Sequence, residues 1–237
     1  MASPSKIQAV VSNINRFGDS VYEYTFKPKR RIPRFKPGQF LHLALDPYDP
    51  SYQWPDSRVF SIATGNNNNE ELKIVISVKG VFTTRMANEL LVGSECWLKL
   101  PYGDFIIDTD DKQIVLIAGG TGVAPFISFL ESNLQSSANK VITLYYGVKD
   151  IEVLLFEDQF INCKKQLNDF DYSIYIESLS DNDKPYFTGR INIEQIFNQH
   201  KGNAVYYLSG PWVMIEKFKE FLIAKDIIEQ NIRIDEW

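Results

Sequence analysis

One stretch, Ile114–Leu130 (IVLIAGGTGVAPFISFL), constrains the fold of this chain more than any other. It begins with apolar residues, continues as a glycine-rich turn and ends with apolar residues at helical spacing. The apolar run predicts a strand that is buried on both faces, as in a parallel sheet. A strand, a glycine turn and a helix in this order present backbone N–H groups and a positive helix dipole, which favour phosphate. Glycines needed only for close packing give the same pattern, so the turn by itself leaves both interpretations open.

The chain from residue 109 onward alternates between strand and helix patterns. The predicted strands are 114–118, 141–146, 172–177, 204–208 and 231–235, and the predicted helices are 124–134, 153–167, 192–199 and 211–224. This alternation predicts an α/β domain with a doubly wound, mostly parallel sheet. A short acidic linker at 108–111 precedes the first of these strands.

Residues 1–108 show a different pattern, with short runs rich in Val, Ile, Tyr and Phe between Pro and Gly turns. The predicted strands are 6–12, 20–27, 39–46, 59–64, 71–79 and 95–100, and one helix is predicted at Thr83–Leu91. Six short strands in about a hundred residues are typical of an antiparallel β-barrel or sandwich. The sequence therefore predicts two domains, an antiparallel β-barrel at 1–108 and a parallel α/β sheet at 109–237.

The charge balance argues against some classes of partner. The formal net charge of −5 disfavours nucleic acid or an anionic membrane as the main partner. No run of about 18 apolar residues is present, so no membrane span is expected. The first residues, MASPSKIQAVV, lack the apolar segment of a signal peptide, which favours a cytoplasmic location.

The cysteine and histidine content limits metal chemistry. The chain has two cysteines, Cys96 and Cys163, and two histidines, His42 and His200. Two thiolates that are 67 residues apart do not supply a four-ligand zinc or iron–sulfur site, so no metal ligands are predicted. Redox chemistry in this chain then requires an organic cofactor. Cys96 lies in an apolar strand pattern and is expected to be part of the core.

Short motifs follow one another along nearly the whole chain. They are Pro37-Gly38-Gln39-Phe40, Arg58-Val59-Phe60-Ser61, Val78-Lys79-Gly80-Val81-Phe82-Thr83, Pro101-Tyr102-Gly103-Asp104-Phe105, Gly119-Gly120-Thr121-Gly122 with Pro125, Ser209-Gly210-Pro211, and Ile234-Asp235-Glu236-Trp237. In this order they resemble the motifs of the ferredoxin–NADP reductase family of flavoproteins. The resemblance implies an FAD-binding barrel at 1–108 and an NAD(P)-binding domain at 109–237, without an iron–sulfur domain.

The resemblance assigns flavin contacts to the Arg58–Ser61 strand. It implies that Arg58 binds the flavin pyrophosphate, that Phe60 packs on the isoalloxazine ring, and that the Ser61 hydroxyl reaches N5, the hydride acceptor. Val59 belongs to the same cofactor-binding motif. An alternating strand places Arg58 and Phe60 on one face and Ser61 on the other. Phe60 stands where the family usually has tyrosine, so it keeps the stacking surface and lacks the hydroxyl.

A second flavin contact is implied by the turn after the fifth predicted strand. This turn resembles the family's GxxS/T motif, in which a hydroxyl and N–H groups at a helix N-terminus can bind the pyrophosphate. Its cofactor-binding candidates are Val78, Lys79, Gly80, Phe82 and Thr83. Thr83 also fits a purely structural role as the N-cap, and Lys79 either adds charge or is simply solvated.

In the α/β domain the resemblance implies contacts with a nicotinamide dinucleotide. The glycine turn corresponds to the family's GGTGxxP motif, which binds the dinucleotide pyrophosphate through Gly119, Gly120, Thr121, Gly122 and Pro125. Ser209, followed by Gly210 and Pro211, stands where the family usually has cysteine near the nicotinamide C4. A serine can still position the ring but lacks the sulfur contact, so a working but slower site is expected. Trp237 corresponds to a terminal aromatic that covers the flavin in some members, although it fits a frayed end equally well. The catalytic candidates are Ser61, Ser209 and Trp237.

The choice between NADH and NADPH depends on cations that bind the 2′-phosphate. Lys149 is one candidate. Asp181 follows the next predicted strand, close to where NADP-using relatives often carry Ser-Arg, and it would repel the phosphate. NADH is therefore expected. Arg190 resembles a residue at the start of a helix in the family more than a phosphate ligand.

The implied activity is that of an FAD-dependent NAD(P)H oxidoreductase, in which hydride passes from the nicotinamide C4 to the flavin N5. Because the chain lacks a cysteine set for an iron–sulfur cluster, the acceptor is expected to be separate: a ferredoxin, a flavodoxin, a haem protein or an oxygenase component. Two alternatives stay open. One is an NAD(P)H:flavin reductase that releases the flavin as a product, and the other is a non-catalytic electron-transfer or nucleotide-sensing subunit.

Overall fold

The computed structural model describes residues 4–66, 68, 70–107, 113–134, 140–179, 185–200 and 204–236. The described residues divide into two compact units. The first contains the chain up to Ile106 together with Ile127–Ser132, and the second contains Ile107–Phe126 and Asn133–Glu236. The predicted domain boundary at 108/109 lies outside the described residues.

The first unit is built on a six-stranded sheet in which every neighbouring pair is antiparallel. Its strand order is β4-β3-β6-β1-β2-β5. The elements are β1 (Ser5–Phe17), β2 (Val21–Pro28), β3 (Phe40–Ala44), β4 (Ser57–Ser61), β5 (Leu72–Ser77), α1 (Val81–Glu89) and β6 (Glu95–Tyr102). The predicted six strands and one helix are confirmed.

The sheet of the first unit curves so that its two ends approach each other. The N–H of Ala63, just after β4, donates a 2.8 Å hydrogen bond to the carbonyl of Lys73 in β5. One continuous hydrophobic core lies inside, with Leu41, Ile74 and Leu98 completely buried. Cys96 belongs to this core, as predicted, and burial raises the pKa of its thiol to about 12.

Two of the sequence motifs support each other at one end of this sheet. Gly38 has a φ of +96°, and a Cβ there would lie 2.0 Å from the carbonyl oxygen of Phe105. Gly103 has a φ of +95°, and its Cβ would lie 2.7 Å from Cδ1 of Phe40. The Gln39 side-chain amide also donates to the Gly103 carbonyl at 3.1 Å. Only glycine satisfies both the positive φ and the close approach at these two positions.

The second unit contains a parallel six-stranded sheet in the order β10-β9-β8-β7-β11-β12. The elements from residue 113 onward are β7 (Gln113–Gly119), α2 (Ala124–Asn133), β8 (Val141–Val148), α3 (Glu157–Gln166), β9 (Phe170–Ile176), β10 (Phe187–Thr188), α4 (Ile193–His200), β11 (Val205–Ser209), α5 (Trp212–Ala224) and β12 (Ile232–Ile234), of which the middle of α2 is grouped with the first unit. Val115 and Ile117 of β7 pack in a core with residues of α4 and α5, and Ile114 and Leu116 are equally buried on the opposite face. The predicted doubly wound sheet is confirmed.

Among the differences from the prediction, two helix starts and one short strand have local reasons. The helix predicted at Thr83–Leu91 begins at Val81, because Gly80 is the N-cap. The helix predicted from residue 153 begins at Glu157, because 151–153 form a short 3₁₀ turn and Phe156 adopts a left-handed φ of 62°. The two-residue strand β10 was not predicted, since a pair of exposed residues carries no periodicity.

A buried polar network joins β7, β8 and α4. The Gln113 side-chain amide donates to His200 Nδ1 at 2.9 Å. The Tyr145 hydroxyl donates to Gln199 Oε1 at 2.8 Å and lies 2.8 Å from His200 Nε2, whose proton it accepts. His200 is therefore a neutral imidazole with both nitrogens bonded. Burial lowers its pKa below the usual value of 6.5.

The longest helix in the described part of the chain is α5, with 13 residues. About 20 apolar residues are needed to cross a bilayer as a helix. None of the described helices reaches that length with the required hydropathy.

Candidate functional site

The carboxyl edge of the parallel sheet contains a topological switch point between β7 and β11. The chain proceeds from β7 to β8 and β9 on one side, whereas β11 and β12 lie on the other. Ser209 at the end of β11 lies opposite Ala118 in β7, so the turns that follow both strands are neighbours. In open α/β sheets, ligands bind outside the carboxyl ends of the strands at such a point.

Glycines allow the two turns to touch through their backbones. A Cβ on Gly122 would lie 2.5 Å from both the carbonyl carbon and the carbonyl oxygen of Ser209. A Cβ on Gly210, whose φ is +148°, would lie 2.8 Å from the Gly119 nitrogen. A Cβ on Gly119 would lie 2.7 Å from Cδ of Pro211. The structure thus brings the predicted GGTG and Ser-Gly-Pro motifs together as one backbone platform.

The GGTG segment turns the chain from β7 into α2. Residues Gly120–Val123 form a 3₁₀ turn, and α2 starts at Ala124 with Pro125 as its second residue. Thr121 lies within this turn. Gly120 has a φ of +55°, and a Cβ added there would meet no atom within 4 Å. The surface above Gly120 is therefore open within the described structure, close to the N-terminal end of α2.

Ser209 and Asp235 form a buried pair beside this platform. The Ser209 hydroxyl donates a 2.9 Å hydrogen bond to Asp235 Oδ2. The Asp235 N–H donates to the Leu208 carbonyl at 2.9 Å, which extends the pairing of β11 with β12. Ser209 is 1% exposed and Asp235 is 5% exposed. Sequence reasoning missed Asp235, and an acidic residue directly after an apolar terminal strand was the available signal.

Charged residues follow the next two strands along the same edge. Lys149 comes directly after β8 and is exposed. Glu177 comes directly after β9, and its Oε2 lies 2.9 Å from Nε of Arg190. The Arg190 side chain is 82% exposed. Asp181, on which the expectation of NADH depends, lies outside the described residues.

In the first unit, the RVFS strand and the first turn of α1 meet at Arg58. The guanidinium carbon of Arg58 lies 5.3 Å from the centroid of the Phe82 ring. Arg58 Nη1 donates 2.9 Å hydrogen bonds to Asp56 Oδ1 and to the Ser57 carbonyl. The Arg58 side chain is 55% exposed, so the guanidinium stays accessible to solvent.

The register of β4 with β3 gives the faces of the RVFS residues. Arg58 pairs with Leu43 and Phe60 pairs with Leu41, so both face the side of the core. Phe60 packs against that core together with Val78. Val59 and Ser61 point to the opposite face, as the alternating pattern predicts, and both are half-buried.

The N-terminus of α1 is organised by the Thr83 hydroxyl. Its Oγ1 accepts hydrogen bonds from the N–H groups of Lys79 at 3.0 Å and Gly80 at 3.2 Å, and it donates to the Gly80 carbonyl at 3.1 Å. Thr83 is thus the third helical residue and Gly80 is the N-cap. Lys79 is exposed, and a Cβ on Gly80 would meet no atom within 4 Å.

The sequence-predicted site residues therefore form two groups, one in each unit. Arg58, Phe60 and Phe82 lie together in the first, and the two glycine motifs with Ser209 lie together in the second. Trp237 lies outside the described residues, so its expected role over the flavin stays a prediction.

Comparison with known proteins adds family information. Residues 116–220 match the family described as "Oxidoreductase NAD-binding domain". This match begins inside β7 and ends inside α5, so it covers the glycine platform and most of the parallel sheet.

Curated relatives match most of the chain at low identity. The reductase component of propane 2-monooxygenase from Mycolicibacterium smegmatis is 27% identical over 85% of this chain. The electron transfer component of toluate 1,2-dioxygenase from Pseudomonas putida is 26% identical over 94% of this chain. The chain spans 58% and 65% of the lengths of these two proteins.

A solved structure has the same fold over nearly its whole length. It is the flavohem-like FAD/NAD binding domain of nitric oxide dioxygenase from Vibrio cholerae O1 biovar El Tor. It aligns with a TM-score of 0.82 at 18% identity, and the alignment covers 97% of each chain. This likeness shows that the chain has the same fold, in which residues 116–220 match an oxidoreductase NAD-binding domain.

Proposed function

We propose that this chain is an FAD-dependent NAD(P)H oxidoreductase that passes electrons to a separate acceptor. The observation that carries the proposal is the backbone platform at the β7/β11 switch point, where Gly122 lies against Ser209 and Gly210 lies against Gly119. Relatives named as a monooxygenase reductase component and a dioxygenase electron transfer component support it.

The platform suits the shared part of a pyridine dinucleotide. Its pyrophosphate would lie over Gly120, where the surface is open and the positive end of the α2 dipole favours an anion. The glycines keep side chains away, so the backbone can approach the phosphates closely. Thr121 and Pro125 fix the path from the turn into α2.

Ser209 and Asp235 would orient the nicotinamide end of the dinucleotide. Because the Ser209 hydroxyl donates its proton to Asp235, it can only accept a hydrogen bond from a ligand. An N–H group, such as that of a carboxamide, is the complementary partner. Asp235 therefore sets the polarity of Ser209 without needing to touch the ligand.

FAD fits the residues gathered around Arg58. An accessible guanidinium beside the N-terminus of α1 combines a cation with unpaired helix N–H groups, which is the chemistry that a pyrophosphate requires. Phe60 would support the ring system, and the Ser61 hydroxyl, on the opposite face of β4, would hydrogen-bond to the ring edge. The flavin, when bound, supplies the redox chemistry by accepting a hydride and releasing electrons, whereas these residues supply position and electrostatics.

NADH is the proposed reductant. The Arg190 guanidinium is an available cation near the carboxyl edge, but it is already paired with Glu177 at 2.9 Å. A 2′-phosphate would compete with that carboxylate and be repelled by it. Lys149 is the remaining cation along this edge among the residues discussed above, and its single flexible ammonium is a weaker phosphate ligand than an arginine fork.

A flavin reductase that releases its flavin is the second candidate. The contact between Arg58 and Asp56 favours it, since an internal carboxylate competes with the pyrophosphate for the guanidinium. Weak retention of the flavin is what such an enzyme requires.

Visible spectroscopy of the purified protein tests the proposal. A yellow protein that is bleached under anaerobic conditions by NADH, and more slowly by NADPH, is the expected result. A colourless protein that catalyses reduction of added flavin would support the flavin reductase instead. A coloured protein that neither nucleotide bleaches would contradict both and favour a non-catalytic subunit.

A further inference from the structure

The segment Lys27–Lys36 (KPKRRIPRFK) reverses the charge of the protein locally. It carries six cationic side chains and no Asp or Glu, whereas the chain as a whole has 25 cationic and 30 acidic residues. The rest of the chain contains the other 19 cationic residues and all 30 acidic residues, so its formal charge is −11. A cluster of one sign on a protein of the other sign produces a strong local potential.

Most of these cations are not neutralised within the described structure. Lys27 Nζ lies 3.7 Å from Glu71 Oε1, and Lys29 pairs with Glu95. The other four are exposed and form no ion pair with any residue between 4 and 236 that the structure describes. These four are Arg30, Arg31, Arg34 and Lys36.

The segment, which we call the basic loop, is held in a defined position. The Lys29 N–H donates to the Gln8 carbonyl at 2.8 Å, which fixes the loop to β1. Ile32 and Phe35 are 5% and 6% exposed and belong to the core of the first unit. These anchors alternate with the arginines, so the charges are displayed by an already ordered backbone. A preordered surface loses less entropy when it binds a partner.

An open pocket of about 530 Å³ lies between the basic loop and the start of β1. Residues 5–7 and 30–34 line it, including Arg30, Arg31 and Arg34. Lys6 also lines it, but its Nζ is occupied by the Tyr48 hydroxyl at 2.6 Å. Arginine forks match carboxylates in geometry. Two segments alone do not enclose a small ligand, so the pocket suits a protruding acidic side chain better than a buried metabolite.

The pocket lies at the same end of the sheet as Ser61. Ser5 pairs with Leu100 across β1 and β6, and Phe40 pairs with both Tyr102 and Ser61. Three strand spacings thus separate Ser5 from Ser61, a distance of about 15 Å. A standard interface of roughly 800 Å² per partner has a radius of about 16 Å. An interface centred on the pocket therefore reaches the Ser61 end of the sheet.

We propose that the basic loop is the docking surface for the electron acceptor, and that the acceptor is a protein with an acidic surface. Carboxylates of the partner would bind Arg30, Arg31 and Arg34. This inference rests on the proposed function, since it assigns the partner of the same flavin site. Nucleic acid is less suitable, because an extended polyanion would also meet the charge of −11 on the rest of the chain.

Two triple variants of the full chain test the proposal. R30Q/R31Q/R34Q removes the arginine charges of the pocket. K165Q/K217Q/K225Q is the matched control and removes three exposed charges, one on α3, one within α5 and one at the C-cap of α5. NADH-dependent reduction is measured with menadione, with an acidic [2Fe–2S] ferredoxin and with basic cytochrome c, between low and high ionic strength. Menadione is small and uncharged, so it reports the proposed function without a docking surface.

The expected result is specific to the acidic probe. The arginine variant should lower kcat/KM for ferredoxin about tenfold or more at low salt and flatten its salt dependence, while menadione and cytochrome c rates hold or rise. The control variant should keep ferredoxin kcat/KM within twofold of wild type. Equal ferredoxin kcat/KM in the two variants would overturn the docking surface, as would loss of DNA or phosphatidylserine-vesicle binding without any change for ferredoxin. If the wild type and both variants all fail to reduce menadione with NADH, the proposed function is refuted instead.

Discussion

The Ser209 hydroxyl donates a 2.9 Å hydrogen bond to the Asp235 carboxylate, and both residues are almost completely buried. The two residues are 26 positions apart and are brought together because β11 and β12 pair in parallel. This hydrogen bond holds the Ser209 side chain, at the end of β11, in one orientation at the proposed nicotinamide end of the site.

Replacing Ser209 with alanine should reduce both stability and the rate of nicotinamide oxidation. The substitution removes a donor from a buried carboxylate, which costs about 2 kcal/mol. We expect a lower Tm and a roughly tenfold slower flavin reduction in stopped-flow experiments. S209C, which keeps a weak S–H donor, is the control and should lose less stability. Identical Tm and rate in S209A and wild type would refute the importance of this bond.

Replacing Arg58 with glutamine should lower the flavin content of the purified protein. The guanidinium is the accessible cation beside the N-terminus of α1, so its loss removes the charge that the pyrophosphate needs. We expect at least a tenfold weaker flavin affinity by fluorescence titration. R85Q is the matched control, because Arg85 lies on α1 but pairs with Asp46 and Glu89. Equal affinities in the two variants would remove Arg58 from the site.

The substitution Gly122→Ala should damage the platform more than Gly120→Ala. A Cβ at Gly122 would overlap the Ser209 carbonyl, so the backbone of β11 must move, which we expect to cost about 3 kcal/mol. A Cβ at Gly120 meets open space, and only its positive φ is strained, at a cost of about 1 kcal/mol. Urea denaturation measures both. A raised KM for NADH in G122A is also expected, and a smaller effect of G122A than of G120A would contradict this packing.

The substitution Glu177→Gln should shift the nucleotide preference towards NADPH. It leaves the Arg190 guanidinium without its carboxylate and removes a charge that repels a 2′-phosphate. We expect the ratio of kcat/KM for NADPH to that for NADH to rise about tenfold. E157Q serves as a control, since Glu157 accepts from Tyr186 at 2.6 Å and does not pair with Arg190. An unchanged ratio would show that the far end of the dinucleotide lies elsewhere.

Stability should fall below about pH 6.5 because of His200. Burial lowers the folded pKa of His200, so the unfolded chain binds a proton first as the pH falls. The stabilisation is complete above the unfolded pKa and is lost as the pH decreases towards the folded pKa. Protonation would also place a proton on Nδ1, which would then point at the N–H of the Gln113 side chain and break that hydrogen bond. Urea midpoints from pH 8 to 5 should fall more steeply for wild type than for H200Q, and parallel curves would exclude this origin.

The sequence was sufficient to predict features whose causes are local. The apolar run of Ile114–Ala118 and the glycines after it predicted β7 and its turn, and alternation predicted which face Ser61 takes on β4. Apart from β10, the strands and helices of both units follow from the same kinds of pattern.

Features that depend on distant pairing were not predicted. The partner of Ser209 is known only once β11 lies beside β12, and the contact of Gly38 with Phe105 requires the β6 end to return to the start of β3. The start of α1 was predicted two residues too late, because Gly80 has no side chain that indicates an N-cap. The Thr83 hydroxyl instead accepts a hydrogen bond from the Gly80 N–H.

The contact between the two glycine turns has a consequence for evolution and redesign. Gly119, Gly122 and Gly210 meet backbone or proline atoms, so no side chain can be substituted there to adjust one turn without displacing the other. Under the proposed function, a change of nucleotide preference would then require substitutions along the outer strand ends, around Lys149 and Glu177. The carboxyl edge of the sheet thus has a half in which packing excludes side chains, proposed to bind what all pyridine dinucleotides have in common, and a half in which side chains can change.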